Sequence, residues 1–151
     1  MFRTYGTPSL QMTPTKQVAL DHLDRINNKD LAGAAALMAE SCQNHSAIPE
    51  AQGRAGFLSL MTKLATAFPD LHYTVEDVIV DGDRCVLRVT AAGTQKGPLA
   101  FARIPLEATN KPVKFEQIHI VRVADGKIVE HWLGQDSMAL FRQLGLKITQ
   151  A

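Results

Sequence analysis

Val123-Ala124-Asp125-Gly126-Lys127-Ile128-Val129-Glu130-His131-Trp132-Leu133 is the stretch that decides how this chain folds. Asp125-Gly126 is a pair that tolerates positive φ, which a tight hairpin turn requires of its two central residues. On either side lie β-rich runs, Ile118 to Val123 and Ile128 to Trp132, in which polar and apolar residues alternate. Two strands joined this way each present one face to a core and one to solvent. Period-two geometry places Phe115, Gln117, His119, Val121 and Val123 on one face of the first strand, and Val129, His131 and Leu133 on one face of the second. A bulge near Trp132 would invert the assignment of His131.

Upstream of the hairpin the period changes twice. Thr13-Pro14 is an N-cap followed by proline at the first helical position, and Ala19, Leu23 and Ile26 continue an apolar stripe to Asn27-Asn28. Asp30 caps a short second helix through Leu37-Met38, and residues 41–46 read as a short extended segment. A third helix runs from about Gly53 to Phe68, with Phe57, Leu60, Met61, Leu64 and Phe68 at helical spacing, a stripe expected to be core. From Leu71 strands take over: Leu71 to Val80 and Arg84 to Gln95 around Asp81-Gly82-Asp83, a looser strand from Leu99 to Leu106, then the hairpin. Asp136-Ser137 opens a last short helix ending at Gly145. Helices first and antiparallel strands second predict an α+β domain over residues 13–151, with helices on one face of a curved sheet and a pocket between them. Residues 1–12 read as a flexible N-terminal arm.

At 151 residues, 46% hydrophobic and 21% charged, the chain suits one globular domain with its own core. A net charge of +1, without runs of Lys or Arg, argues against nucleic acid as a partner. The absence of a long apolar window argues against a membrane and for a cytoplasmic protein. Two distant cysteines, Cys42 and Cys85, make no disulfide framework, and no His or Cys spacing suggests a metal site.

The order of elements, with Asn44-His45-Ser46, Ala67-Phe68-Pro69-Asp70-Leu71, Val75-Glu76-Asp77, Gly93-Thr94, Ile104-Pro105, Lys111-Pro112-Val113 and the 124–132 hairpin, resembles the SnoaL-like polyketide cyclases of the nuclear-transport-factor-2-like superfamily. The resemblance covers about residues 14 to 146. It implies a cone-shaped α+β barrel, a homodimer formed through the outer sheet face, and closure of polyketide esters by intramolecular aldol chemistry with no metal or organic cofactor. It also implies an acid/base aspartate one residue after the Trp, beside a histidine on the neighbouring strand. His119 matches the histidine, whereas Leu133 stands where the aspartate belongs.

Aldol chemistry needs a base for a carbonyl-activated proton and donors for the enolate oxygen. A histidine serves either task near neutral pH, and a glutamine amide donates without adding charge. His119 is therefore the expected acid/base, with His131 as a second catalytic candidate. Gln117, Phe115, Leu133 and His45 are the expected binding residues for a hydrophobic small molecule. His22 and His72 are read as structural, Asp136 as an N-cap, and Arg88 and Arg103 as solvated. Two other readings stay open: a binding protein that has lost the chemistry, because Leu133 makes the pocket centre apolar, and a different reaction in the same cavity, such as hydroxylation, hydration or hydrolysis.

Overall fold

Thr13 caps the first helix by accepting a hydrogen bond from the Lys16 N–H, and Pro14 starts that helix, α1, Pro14–Asn27. The computed structural model describes residues 12–101, 104–147 and 149–150. Most of the expected N-terminal arm, residues 1–11, lies outside the described residues, as does Arg103. Asp30 caps α2, Leu31–Ala36, through the Gly33 N–H, and Asp136 caps α4, Ser137–Gln143, through the Ala139 N–H. Between them come β1 (Met38–Asn44), a 3-10 turn (Pro49–Ala51), α3 (Gly53–Ala67), β2 (His72–Asp81), β3 (Arg84–Thr94), β4 (Leu99–Phe101), β5 (Ile104–Leu106), β6 (Pro112–Ala124) and β7 (Lys127–Gln135).

Five strands form the main sheet in the order β1-β7-β6-β3-β2. The β6–β7 turn has φ of 51° at Asp125 and 73° at Gly126, the double positive φ that this pair was expected to accept. The inner face of β3 carries Cys85, Leu87, Val89 and Ala91, all buried, against Leu23 and Ile26 of α1 and Phe57 and Met61 of α3. The result is an α+β fold with the helices packed on one face of a five-stranded sheet.

Three expectations change. Met38 belongs to β1 and not to α2, and β1 runs parallel to β7, so the sheet is mixed. The Ile128 N–H donates to the Leu37 carbonyl and the His45 N–H to the His131 carbonyl, and this long-range pairing outweighs the local helical pattern. Residues 99–106 form no single strand, since β4 and β5 pair with each other in a separate two-stranded sheet. In β7 the register shifts between Ile128 and Glu130, so Ile128 turns into the core where Val129 had been placed. His131 and Leu133 keep their inward positions because the bulge lies before them.

Candidate active site

Bulges in β2 and β7 bend the sheet away from α1 and α3, leaving a cavity of about 380 Å³ between the two layers. The α3 stripe of Phe57, Leu60, Met61, Leu64 and Phe68 lines this space and so serves as cavity wall as well as core. From the sheet come Phe115, Gln117, His119, His131, Leu133 and Gln135. Among the described residues, no Asp, Glu, Lys or Arg lines the cavity.

The polar groups on the sheet wall form one chain of hydrogen bonds. Gln135 Nε2 donates to Ser137 Oγ (3.1 Å), and Gln117 Nε2 donates to Gln135 Oε1 (3.0 Å). Gln117 Oε1 is thereby left to accept from His119 Nε2 at 2.9 Å. A neutral His119 with its proton on Nε2 has a lone pair on Nδ1, so the 2.9 Å contact between His119 Nδ1 and His131 Nε2 is donated by His131. The chain ends at the lone pair of His131 Nδ1, to which no group among the described residues donates. Burial is the main cause that pushes His119 down to about 3 and His131 to about 4. Repulsion from neighbouring imidazoles, His131 and His22 for the former and His22 for the latter, adds to it. Both rings are neutral at pH 7.

Other groups on the wall are poised toward a ligand. Asn44 Oδ1 is buried without a hydrogen-bond partner, a condition that costs roughly 1–3 kcal/mol until a donor arrives. Ser46 Oγ accepts the Leu133 N–H at 2.7 Å, which leaves its own proton free to donate. Tyr73 is fully packed, with its ring edge-on to His119 at 6.3 Å, and burial pushes its phenol up to about 12, so it stays a donor. Leu133 sits directly opposite His119 in the β6–β7 pairing, so its apolar side chain faces the imidazole.

Phe115, Gln117, His119, His131 and Leu133 thus meet in one cavity, and the hydrogen-bond order puts His131 rather than His119 at the end of the chain. His45 does not join them, which corrects its placement as a binding residue. Its ring stacks on Trp132 at 4.5 Å and its Nε2 pairs with Glu130 Oε2 at 2.8 Å on the other side of the sheet. The reason is pleat: Glu130 and Trp132 alternate away from His131, and His45 follows them. Asp136 is the expected N-cap. Arg88 is held on the outer face by Asp77 and Glu116.

Sequence reasoning missed Gln135, Tyr73, Asn44, Ser46 and His22 as cavity residues. Gln135 was readable by extending the period-two face of β7 one more step. Asn44 and Ser46 depend on the parallel β1–β7 pairing, which no local pattern signals. Among the described residues no group of three His, Cys, Asp or Glu is placed to hold a metal ion.

Comparison with known proteins places this architecture. The SnoaL-like polyketide cyclase profile matches residues 16–144. The aklanonic acid methyl ester cyclase DnrD of Streptomyces peucetius is 31% identical over 98 residues, 64% of this chain and 65% of that protein. The matched stretch therefore spans just under two thirds of this curated relative. TsrD of Streptomyces laurentii superposes with a TM-score of 0.77 at 27% identity, covering 91% of this chain and 98% of that one. AclR of Streptomyces galilaeus, a candidate hydroxylase, gives 0.75 at 27% identity over 89% and 98%. With a family profile spanning nearly the whole described fold and a cavity at the same helix–sheet junction that its sequence resemblance implied, this chain belongs to the SnoaL-like polyketide cyclase family.

Proposed function

We propose that this protein is a cofactor-independent acid/base enzyme that carries out an aldol-type cyclisation or isomerisation of a polyketide-like carbonyl compound, with an imidazole pair in place of the missing aspartate. The observation that carries the reading is the bare Nδ1 of His131 at the end of the His131–His119–Gln117–Gln135 chain, in a cavity where no charged side chain is among the described lining residues. His131 Nδ1 takes a proton from a carbon activated by a carbonyl, and the C–H electron pair moves onto that carbonyl oxygen as an enolate. The enolate carbon attacks a second carbonyl, forming the C–C bond, and the new alkoxide recovers the proton from His131. His119 is a positioning residue, because its Nδ1 accepts from His131 Nε2 and steadies the imidazolium while the proton is held. Tyr73 and Ser46 are the available hydroxyl donors for the enolate oxygen, while Asn44 Oδ1 is an acceptor for a ligand donor. A base with a pKa of about 4 is compatible with such chemistry, since general bases of modest pKa enolise activated carbonyl compounds when donors hold the oxygen.

A second reading is a hydrophobic small-molecule binding protein without turnover. Leu133 opposite His119 and the apolar α3 wall favour it. The hydroxylase assignment of AclR keeps a different reaction in the same cavity as a third. NMR-detected deuterium exchange into a panel of 1,3-dicarbonyl and polyketide-ester compounds separates them. Exchange by the native protein that disappears in His131→Ala supports the enzyme. No exchange by the native protein, with exchange appearing in Leu133→Asp, replaces it with the binding reading.

We further propose a homodimer through the outer sheet face, where Ile79 and Ile118 stand exposed. A light-scattering mass equal to one subunit would rule this out.

A further inference from the structure

His22 takes no part in the hydrogen-bonded chain of β6 and β7, yet it lines the same cavity from the opposite, helical wall. Its Nδ1 lies 2.9 Å from the carbonyl oxygen of Ala34. A carbonyl only accepts, so the proton is on Nδ1 and Nε2 keeps a bare lone pair. Burial holds the ring neutral, against the smaller opposing effect of the Ala34 hydrogen bond. Phe57 packs on the ring at 5.1 Å between centroids, and among the described residues none donates to Nε2. His22, His119 and His131 all line this one cavity.

The cavity therefore has two imidazole acceptors on facing walls, His22 Nε2 and His131 Nδ1, and among the described residues no charged side chain lines it. What satisfies two such acceptors is a ligand with two hydrogen-bond donors and no charge. A carboxylate would meet two lone pairs and no cation, and an ammonium would be buried without a counter-charge. We propose that His22 Nε2 is a second ligand-binding group, which accepts a hydrogen bond from a phenolic or enolic hydroxyl at the end of a neutral ligand remote from His131. This rests on the cavity being the ligand site of the proposed function, and it is independent of whether turnover follows. Ligands with an ether or ketone oxygen at that end leave Nε2 unpaired and bind more weakly.

The test is binding of three non-reacting probes, 2,6-dihydroxynaphthalene, 6-methoxy-2-naphthol and 2,6-dimethoxynaphthalene, to the native protein, His22→Asn and His22→Gln. Asparagine keeps a donor for the Ala34 carbonyl but has no atom at the Nε2 position, whereas glutamine restores an acceptor near it. The native protein is expected to prefer the dihydroxy probe over the monomethoxy probe by about tenfold, the upper range for one neutral hydrogen bond. His22→Asn should abolish that preference while leaving the dimethoxy probe within about twofold, and His22→Gln should restore part of it. In the native protein the His22 Nε2 resonance should move on binding the dihydroxy probe, a readout that needs no variant. Equal discrimination by native protein and His22→Asn, or a His22 resonance that does not move, overturns the assignment. If the probes discriminate as expected while no variant exchanges a 1,3-dicarbonyl proton, the proposed reaction fails and this ligand contact stands.

Discussion

The two faces of strands β6 and β7 are built from the same residue classes and behave oppositely. Facing the cavity, His119 and His131 are neutral and hydrogen-bonded to each other and to amides. One residue along, Arg122 Nε meets Glu130 Oε1 at 2.6 Å, and Glu130 also holds His45. Hydrogen bonds from His45 and Arg122 keep the Glu130 carboxyl below its usual range. On β3 the same holds: Leu87 and Val89 point in, while Arg88 between them spans Asp77 at 2.6 Å and Glu116 at 3.0 Å. A histidine's role here is thus decided by its face. His45, on the wet side, is a hydrogen-bond partner of Glu130; His131, in a cavity with no carboxylate among its described lining residues, is a neutral base. Solvent screening makes the outer pairs cheap and weak, and exclusion of water makes the inner chain costly to perturb.

The largest way to break this contrast is on the inner face. His131→Ala is expected to lower the exchange rate of an accepted 1,3-dicarbonyl by roughly 10²- to 10⁴-fold, the usual contribution of a general base. The pH profile of the same reaction sharpens the point. Its acid limb should fall near the lowered value of about 4 for His131, and a limb near 6.5 would mean that the working base is a solvated histidine.

Stability should follow the inner rings as well. His22, His119 and His131 titrate near 6.5 when unfolded but at about 4, 3 and 4 when folded, so between those values the unfolded chain holds more protons. Their contribution is fully present above about 6.5 and is lost as pH falls through about 4. Each ring steepens the decline by at most about 1.4 kcal/mol per pH unit, measurable as denaturant midpoints from pH 7 to 4. A flat midpoint across that window would contradict the neutral inner face.

Gln117→Leu should cost roughly 1–3 kcal/mol in urea unfolding, because it strands His119 Nε2–H and Gln135 Oε1 together. The smallest effect belongs to the outer face. His45→Ala should change stability by less than about 1 kcal/mol and leave exchange unaltered, since its partners remain solvated or paired through Arg122. Loss of exchange in His45→Ala would place it in the site after all.

Local chemistry made several elements readable in advance. Asp125-Gly126 can form its turn in isolation because both residues accept positive φ, and Thr13-Pro14 and Asp136 cap helices with their own side chains. Strict alternation then carried Phe115, Gln117 and His119 to one face, and a family resemblance supplied which face looks inward. Where reasoning stopped short, long-range contacts were responsible. Met38 looked helical because its partner Ile128 lies ninety residues on in the chain, beyond any local pattern. His45 looked like a pocket residue because nothing near it in sequence reveals Glu130 and Trp132.

The sequence by itself determined the order of elements, the turn and cap positions and the polar face of β6, because each depends on backbone preferences and side-chain period within a few residues. Only the tertiary structure decided that the α3 stripe bounds a cavity, that Ile128 displaces Val129, that His131 ends the hydrogen-bonded chain and that His22 faces it from α1. Those outcomes depend on which donor meets which acceptor across strands and layers, and that pairing exists only once the chain has closed on itself.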